Sequence, residues 1–304
     1  MGGDGTMNFH LLENPEALQT RIIELLAGRC GCESLFRGEP YEAVRTSGVM
    51  LLLAEEAVEP GRPPEVCVIL NKRSEEVRQP GDLCCPGGAL NGNLDPALAK
   101  LITLPGMPLS RWPHWRRIHR DCPEEAEFLS LLLATAIRES WEEIRLNPFL
   151  IRFLGPLQSQ CLILFRRVVH PMVAWVKWQR RFLLSREVEK IVRIPLRSLL
   201  DPSNFGCYRL TVPHGLEWRF QGERHDFPCF LQPGRAGPEL LWGVTYRMVT
   251  LLVELVFGFK PPPLASLPVT RGTVDRSYIS GNRRSAPGVR KMERRGRDCC
   301  AAGE

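Results

Sequence analysis

The 304-residue chain predicts a layered α/β fold, and three features carry that expectation. Short apolar, β-branched runs alternate with longer amphipathic segments, which favours sheets and helices packed in layers. The composition is 44% hydrophobic and 24% charged, which excludes a chain disordered throughout or a fibrous repeat. The longest apolar runs, Phe128–Ile137 and Met248–Phe259, fall short of the roughly 18–20 residues that span a bilayer, so no transmembrane segment is expected.

The elements follow in order. Asn14-Pro15-Glu16 precedes apolar residues at Leu18, Ile22 and Leu25/Leu26, the pattern of a capped amphipathic helix over Asn14–Ala27. Gly48–Ala54 and Val66–Leu70 read as two strands joined by the turn-forming Glu59-Pro60-Gly61-Arg62-Pro63-Pro64. Leu83–Cys85 is a short run ended by Pro86-Gly87-Gly88. Leu101–Arg120, rich in Trp, His and Arg, reads as irregular, its Trp112–Arg120 part a loop docked on the protein's own surface or a stacking and phosphate-binding loop. A long helix is expected from Pro123 to Arg145, stopped near Asn147-Pro148. Strands are expected at Phe153–Leu157, Cys161–Val169, Met172–Val176, Val188–Ile194 and Tyr208–Val212. A last helix is expected over Leu240–Phe257, with Pro261-Pro262-Pro263 ending the folded part. This divides the chain into a one-helix N-terminal extension (1–45), a main domain (46–263) and a disordered basic tail (264–304).

The net charge of +6 is concentrated in that tail, where nine Arg and Lys stand against four Asp and Glu. The body is therefore not a basic nucleic-acid-binding domain, and no nucleic-acid partner is expected. Eleven cysteines without a Cys-x-x-Cys pair give no zinc-site spacing, and Cys67 and Cys161 read as buried small hydrophobes. An odd cysteine count with no secretory signal points to a reducing cytoplasm.

The most informative stretch is Arg138-Glu139-Ser140-Trp141-Glu142-Glu143. On a helix the three carboxylates share an arc of about 100°. Leu133, Ile137, Trp141 and Ile144 fall on the opposite side, the side expected to be buried. Like charges at this spacing repel, so the cluster is solvated, paired with Arg138, or neutralised by a cation. Oxygen-only ligands suit Mg²⁺ or Mn²⁺.

Together with Pro86-Gly87-Gly88 upstream, Arg138, Glu139, Glu142, Glu143 and Leu146 resemble the Nudix box G-x₅-E-x₇-R-E-U-x-E-E-x-G-U, where U is aliphatic. The closer resemblance is to the coenzyme A diphosphatase branch, through Leu70, Arg73, Ser74, Arg78, Gly81, Pro86, Gly87 and Gly88. Glu187-Val188-Glu189, Ile194-Pro195-Leu196, Leu199-Leu200-Asp201-Pro202 and Leu241-Trp242-Gly243-Val244-Thr245 continue it, so it covers residues 46–260. The chain departs from the pattern in four places. The spacing from Arg78 to Gly81 is one residue short, and Cys85 replaces a Phe. Arg145 replaces the Gly at the helix exit, so the helix is expected to run on to Asn147. If Asp95 fills the first acidic position, residues 96–137 stand where the family has seven, an insertion at about 96–130. Such an insertion is tolerable if it bulges outward.

The resemblance implies a Nudix-like α/β/α sandwich with a mixed β-sheet. It also implies a metal-dependent enzyme that cleaves a small-molecule diphosphate. Coenzyme A or acyl-coenzyme A is the favoured substrate. ADP-ribose, a dinucleotide or a nucleotide sugar is the alternative, and a Nudix-fold binding protein without turnover is the non-enzymatic one. By the same resemblance Glu139, Glu142 and Glu143 hold Mg²⁺ or Mn²⁺, and Arg138 orients them. Gly87 and Gly88 let the backbone approach the phosphates, and Arg73 and Arg78 bind substrate anions. The general base is left open among Glu139, Glu187, Glu189 and Glu223.

Overall fold

Five consecutive apolar residues, Val49 to Leu53, suit a strand covered on both faces. In the computed structural model they lie in β1 (Arg45–Glu56), at the centre of a mixed sheet. The structure describes residues 8–27, 45–58, 61–162, 167–179, 181–212, 224–234, 237–273 and 278.

β1 pairs antiparallel with β2 (Glu65–Arg73) and parallel with β7 (Arg167–Val176). β3 (Leu83–Cys84) and β8 (Val188–Pro195) flank β2. β5 (Ile151–Pro156) and β6 (Gln160–Leu162) flank β7. β4 (Gly87–Ala89) extends the Pro86-Gly87-Gly88 turn into a pairing with β1, setting Gly88 opposite Gly48.

Alternation along β1 divides the core in two. Val49, Leu51 and Leu53 face α1 (Pro15–Ala27) and α6 (Gly243–Phe257), through Leu18, Ile22, Val249 and Leu252. Met50, Leu52 and Ala54 face α2 (Asp95–Ile102), α3 (Trp115–Asp121) and α4 (Pro123–Ile144). Helices thus cover both faces of a mixed sheet, the α/β/α sandwich expected from the sequence. α5 (Leu196–Leu199) follows β8. A second sheet has the order β11 (Glu239–Trp242), β10 (Arg224–Gln232), β9 (Phe205–Thr211), β12 (Val269–Thr273). Among the described residues no helix is long and apolar enough to cross a membrane.

Several expectations need correction. Leu101–Arg120 is irregular only in part: residues 103–114 form turns, Trp115–Asp121 forms α3, and Trp112 is 2% exposed, with its indole N–H donating to the Leu154 carbonyl at 3.0 Å. The Trp-rich segment is therefore held by core burial and a satisfied indole, not by local periodicity. The last helix begins at Gly243 rather than Leu240, because Glu239–Trp242 pairs with β10 as a strand. The chain does not leave the fold at Pro263. β12 pairs in parallel with β9, and Tyr278 is buried with its hydroxyl donating to Asp82. Cys161 is exposed, since β6 lies at the edge of the sheet. Residues 279–304, Cys30 and Cys32 lie outside the described residues.

His170 gives the fold a signature in acid. It is 3% exposed on β7, its Nδ1 is 2.7 Å from the Ser159 hydroxyl, and burial lowers its pKa to about 4. Unfolded, it takes up a proton near its ordinary value of 6.5. Its contribution is therefore complete above about 6.5 and is lost as pH falls toward about 4. Between those values the thermal midpoint of wild type should fall relative to that of His170→Asn. Parallel curves for the two proteins would show that His170 titrates alike in both states.

Candidate active site

The carboxylate helix is set against the sheet by a missing side chain. A Cβ on Gly48 would collide with the Leu132 carbonyl oxygen and stand 3.3 Å from the Ala136 amide nitrogen, so only glycine lets α4 seat this closely on β1. Gly88, paired with Gly48, faces the next turn of the same helix, and a Cβ there would strike the Glu139 carboxylate. Gly87 has φ +150°, and a Cβ on it would press on Gly48 and Val49. Pro86-Gly87-Gly88 thus brings bare backbone to the carboxylates.

Glu143 lies between this turn and β2. Its Oε2 accepts from the Asn71 side-chain amide at 2.7 Å, and its Oε1 is 3.4 Å from the Gly87 amide nitrogen. Burial raises its pKa to about 7, against the lowering effect of the Gly87 N–H and with a further rise from the charge on Glu139. Burial raises Glu139 as well, while Arg138 opposes the shift. Glu142 is the outermost of the three, its side chain 51% exposed.

Arg138 organises the cluster. Its Nε and Nη2 donate to the two oxygens of Asp95 at 2.7 and 3.2 Å, and Nη2 also donates to the Ala89 carbonyl at 3.1 Å. Nη1 bridges Glu139 at 2.9 Å and Glu142 at 3.3 Å. The Asp95 side chain is 0% exposed and also accepts from the Asn91 amide and the Thr135 hydroxyl, both at 2.7 Å. Burial pushes Asp95 upward, but these hydrogen bonds prevail and hold it below the usual carboxylate range. Residues 96–137 form α2, α3 and the first turns of α4, so the chain leaves at Asp95 and comes back to it at Arg138.

The helix does not run on to Asn147. It ends at Ile144, and Arg145 itself adopts the left-handed conformation (φ 53°, ψ 41°) that usually calls for glycine. Gln179 supports this exit by donating to the Arg145 carbonyl at 3.0 Å and accepting from the Asn147 amide at 2.8 Å. Trp141, expected inside, is 48% exposed and lies under the Arg145 guanidinium, 5.3 Å from its ring centroid. Leu133, Ile137 and Ile144 are buried as expected.

The remaining candidates are dispersed. Arg73 ties the turn before β3, its Nε donating to the Arg78 carbonyl at 2.7 Å, while Arg78 is exposed. Glu189 pairs with Lys72 at 3.3 Å, Glu187 is exposed at the start of β8, and Glu223 lies outside the described residues. Sequence reasoning missed Asn71. Its signal was a lone amide ending the apolar run Val66–Leu70, and it is 1% exposed.

Among the described residues no three of His, Cys, Asp and Glu already form a closed metal cage. The donor set nonetheless suits a hard divalent cation: Glu139, Glu142 and Glu143 supply only oxygen, and two of them are partly buried against mutual repulsion.

No protein-family model matches the chain, and no curated protein matches it. Among solved structures it is similar to an Ap4A hydrolase of C. elegans (14% identity, 52% of this chain and 84% of that one, TM-score 0.32). It is also similar to a Nudix hydrolase of Alicyclobacillus acidocaldarius (17% identity, 53% and 83%, TM-score 0.33). A third is the Nudix domain of Shewanella oneidensis NrtR complexed with ADP ribose (15% identity, 54% and 82%, TM-score 0.31). At these identities and overlaps the likeness carries no assignment of family or activity by itself.

Proposed function

We propose that the protein is a Nudix-type, metal-dependent hydrolase that cleaves a nucleoside-diphosphate-linked small molecule. One observation carries this reading: Arg138, clamped by the buried Asp95, joins Glu139 and Glu142, while Glu143 and Glu139 meet the bare backbone of Gly87 and Gly88. A solvated acidic helix face needs neither a buried clamp nor a glycine turn seated on its carboxylates. The clamp also supports reading residues 96–137 as an insertion into the box, since the pair it would separate is in contact.

Glu139, Glu142 and Glu143 would hold Mg²⁺ or Mn²⁺. A bound cation offsets phosphate charge and lowers the pKa of water. In the reaction, water adds to one phosphorus, the P–O–P linkage breaks and two phosphate monoesters leave. Arg138 cannot swing toward substrate, because Asp95 and Ala89 occupy its remaining donors; it keeps Glu139 and Glu142 aimed. Asn71 holds one Glu143 oxygen and leaves the other toward the turn. Gly87 and Gly88 let the backbone close on the carboxylates that would hold the cation. With Glu189 paired to Lys72 and Glu187 at the start of β8, Glu139 is the general base we favour among the described candidates.

The favoured substrate is coenzyme A or acyl-coenzyme A, giving 3′,5′-ADP and phosphopantetheine. This rests on the Arg73-Ser74-x₃-Arg78 segment ahead of the glycine turn. Arg73 shapes that turn and Arg78 is exposed to meet a substrate phosphate. Hydrolysis of coenzyme A, its form lacking the 3′-phosphate and ADP-ribose should be compared with Mg²⁺ and with Mn²⁺. Arg78→Ala is expected to lower kcat/KM on coenzyme A at least about tenfold. Arg73→Ala should do the same and lower the thermal midpoint as well. Equal, small losses on all three substrates would remove both arginines from the substrate site. Cleavage of ADP-ribose with coenzyme A untouched would reject the branch, and cleavage of no diphosphate would reject the hydrolase.

A further inference from the structure

The loop that carries Arg78 is the hairpin between β2 and β3, and its root lies at the carboxylates. Asn71, which holds Glu143, stands opposite Cys84 in the pairing of the two strands. Arg73 joins this root to the tip: its Nη1 is 4.0 Å from the Cys84 sulfur, and its Nε donates to the Arg78 carbonyl at 2.7 Å. Burial raises the pKa of Glu143, and the Arg73 charge offsets part of that rise. Within the tip the backbone bonds are long, 3.4 Å from the Val77 amide to the Ser74 carbonyl and 3.3 Å from the Asp82 amide to the Gln79 carbonyl. Gln79 has φ 56°, a left-handed conformation without glycine. Such a conformation persists where surrounding contacts over-determine it.

Those contacts come from two sides. On one, the Ser74 hydroxyl donates to the Arg186 carbonyl at 2.6 Å, and its amide to the Glu187 carbonyl at 2.9 Å. On the other stands Tyr278, 5% exposed. Its carbonyl accepts from the Gln79 amide at 2.9 Å, and its hydroxyl donates to Asp82 Oδ2. The Trp242 indole donates to the other Asp82 oxygen at 3.2 Å. Asp82 in turn closes the hairpin, its carbonyl accepting from the Arg73 amide at 3.0 Å. Tyr278 shares a core cluster with Tyr208, Leu210 and Cys229 of the second sheet. One residue anchored there thus bonds both the left-handed position and the residue that closes the loop. Filling the core would need its ring, but neither of these bonds.

We infer that Tyr278 is a positioning residue for the substrate: from the second sheet it holds residues 79–82 so that Arg78 meets a diphosphate in a fixed arrangement. The inference rests on the hydrolase reading above for its substrate class. A guanidinium presented by a fixed backbone loses less freedom on binding, so its charge-assisted bonds to phosphate count in affinity. Releasing the loop should therefore weaken substrate binding and leave the chemical step alone.

The test is Tyr278→Phe in the full chain, which removes the hydroxyl and keeps the ring and the carbonyl. Hydrogen exchange read by mass spectrometry should be at least about threefold faster over residues 74–82 and within about twofold of wild type over β9 and β10. KM for the diphosphate that wild type cleaves best should rise at least about threefold, with kcat within about twofold. Trp242→Phe removes the other donor to Asp82 and should do the same, which keeps the comparison valid if Tyr278→Phe misfolds. In an Arg78→Ala background neither change should raise KM further, because both act through that residue. A rise that adds in full to that of Arg78→Ala would make Tyr278 a packing residue and overturn the inference. So would wild-type exchange over residues 74–82, or an unchanged KM. Calorimetry with coenzyme A, its form lacking the 3′-phosphate and ADP-ribose, without divalent cation, repeats the comparison apart from turnover. Binding that weakens in Tyr278→Phe, with no diphosphate cleaved by wild type, would reject the hydrolase and keep the positioning role. Cleavage with a KM indifferent to Tyr278 would do the reverse. Neither cleavage nor binding of any of the three would overturn both.

Discussion

Glu142→Gln is expected to lower diphosphate hydrolysis at least about a hundredfold, the scale seen when one preorganised electrostatic partner of the reacting group is removed. The fold should be unaffected. The side chain is half exposed, and its hydrogen bonds are those to Arg138 Nη1, at 3.3 and 3.4 Å. An exposed pair of that kind contributes at most about 1 kcal/mol. Gln keeps the shape, so the thermal midpoint should move by no more than about 2–4 °C. Steady-state rates at saturating Mg²⁺ and Mn²⁺, set beside thermal unfolding, decide the matter. Full activity in the variant would sink the assigned site. A changed metal optimum at unchanged maximal rate would show that Glu139 and Glu143 suffice as ligands.

Arg138→Met should have the largest effect on stability, about 3–5 kcal/mol, because it strands a buried charge. The Asp95 carboxylate is wholly buried, and Arg138, itself 9% exposed, meets both of its oxygens. Asn91 and Thr135 would still donate to it, but neither carries a compensating charge. For a chain of this size the loss corresponds to a fall of about 5–8 °C. A second change, Asp95→Leu, should recover part of it, since an apolar pair of similar volume can replace a buried ion pair. Urea unfolding of both single variants and the double variant measures the coupling. A single variant costing under about 1 kcal/mol would mean that α4 is held by packing on Gly48 alone. The double variant should remain weak in hydrolysis, because Glu139 and Glu142 lose the group that aims them.

Much was legible in the sequence because it is written in short periods. Asn14 caps α1 through its side chain, accepting from the Ala17 amide at 3.0 Å. The run Val49–Leu53 specifies a strand buried on both faces, and helix geometry alone puts Glu139, Glu142 and Glu143 on one arc. These are properties of residues within two turns of one another, where backbone geometry dictates who shares a face. The layered α/β class follows from the same alternation.

What only the tertiary structure decided involves partners far apart in the chain. Leu101–Arg120 shows no clean period, yet its turns and α3 are held in place because Trp112, Trp115 and Ile118 find the far face of the sheet. β12 needs β9, some sixty residues earlier, to become a strand at all. Trp141 lies on the apolar side of the wheel but is half exposed under the Arg145 guanidinium, while Ile144 on the same side stays buried. Arg145 takes a left-handed exit that local preference disfavours, braced by Gln179 from a distant segment. Asn71 acquires its meaning only when Glu143, 72 positions later, arrives 2.7 Å away. Local periodicity fixes which side chains share a face. Which faces meet, and which strained or buried polar groups are then repaid by a partner, is settled by contacts across the chain that no single window contains.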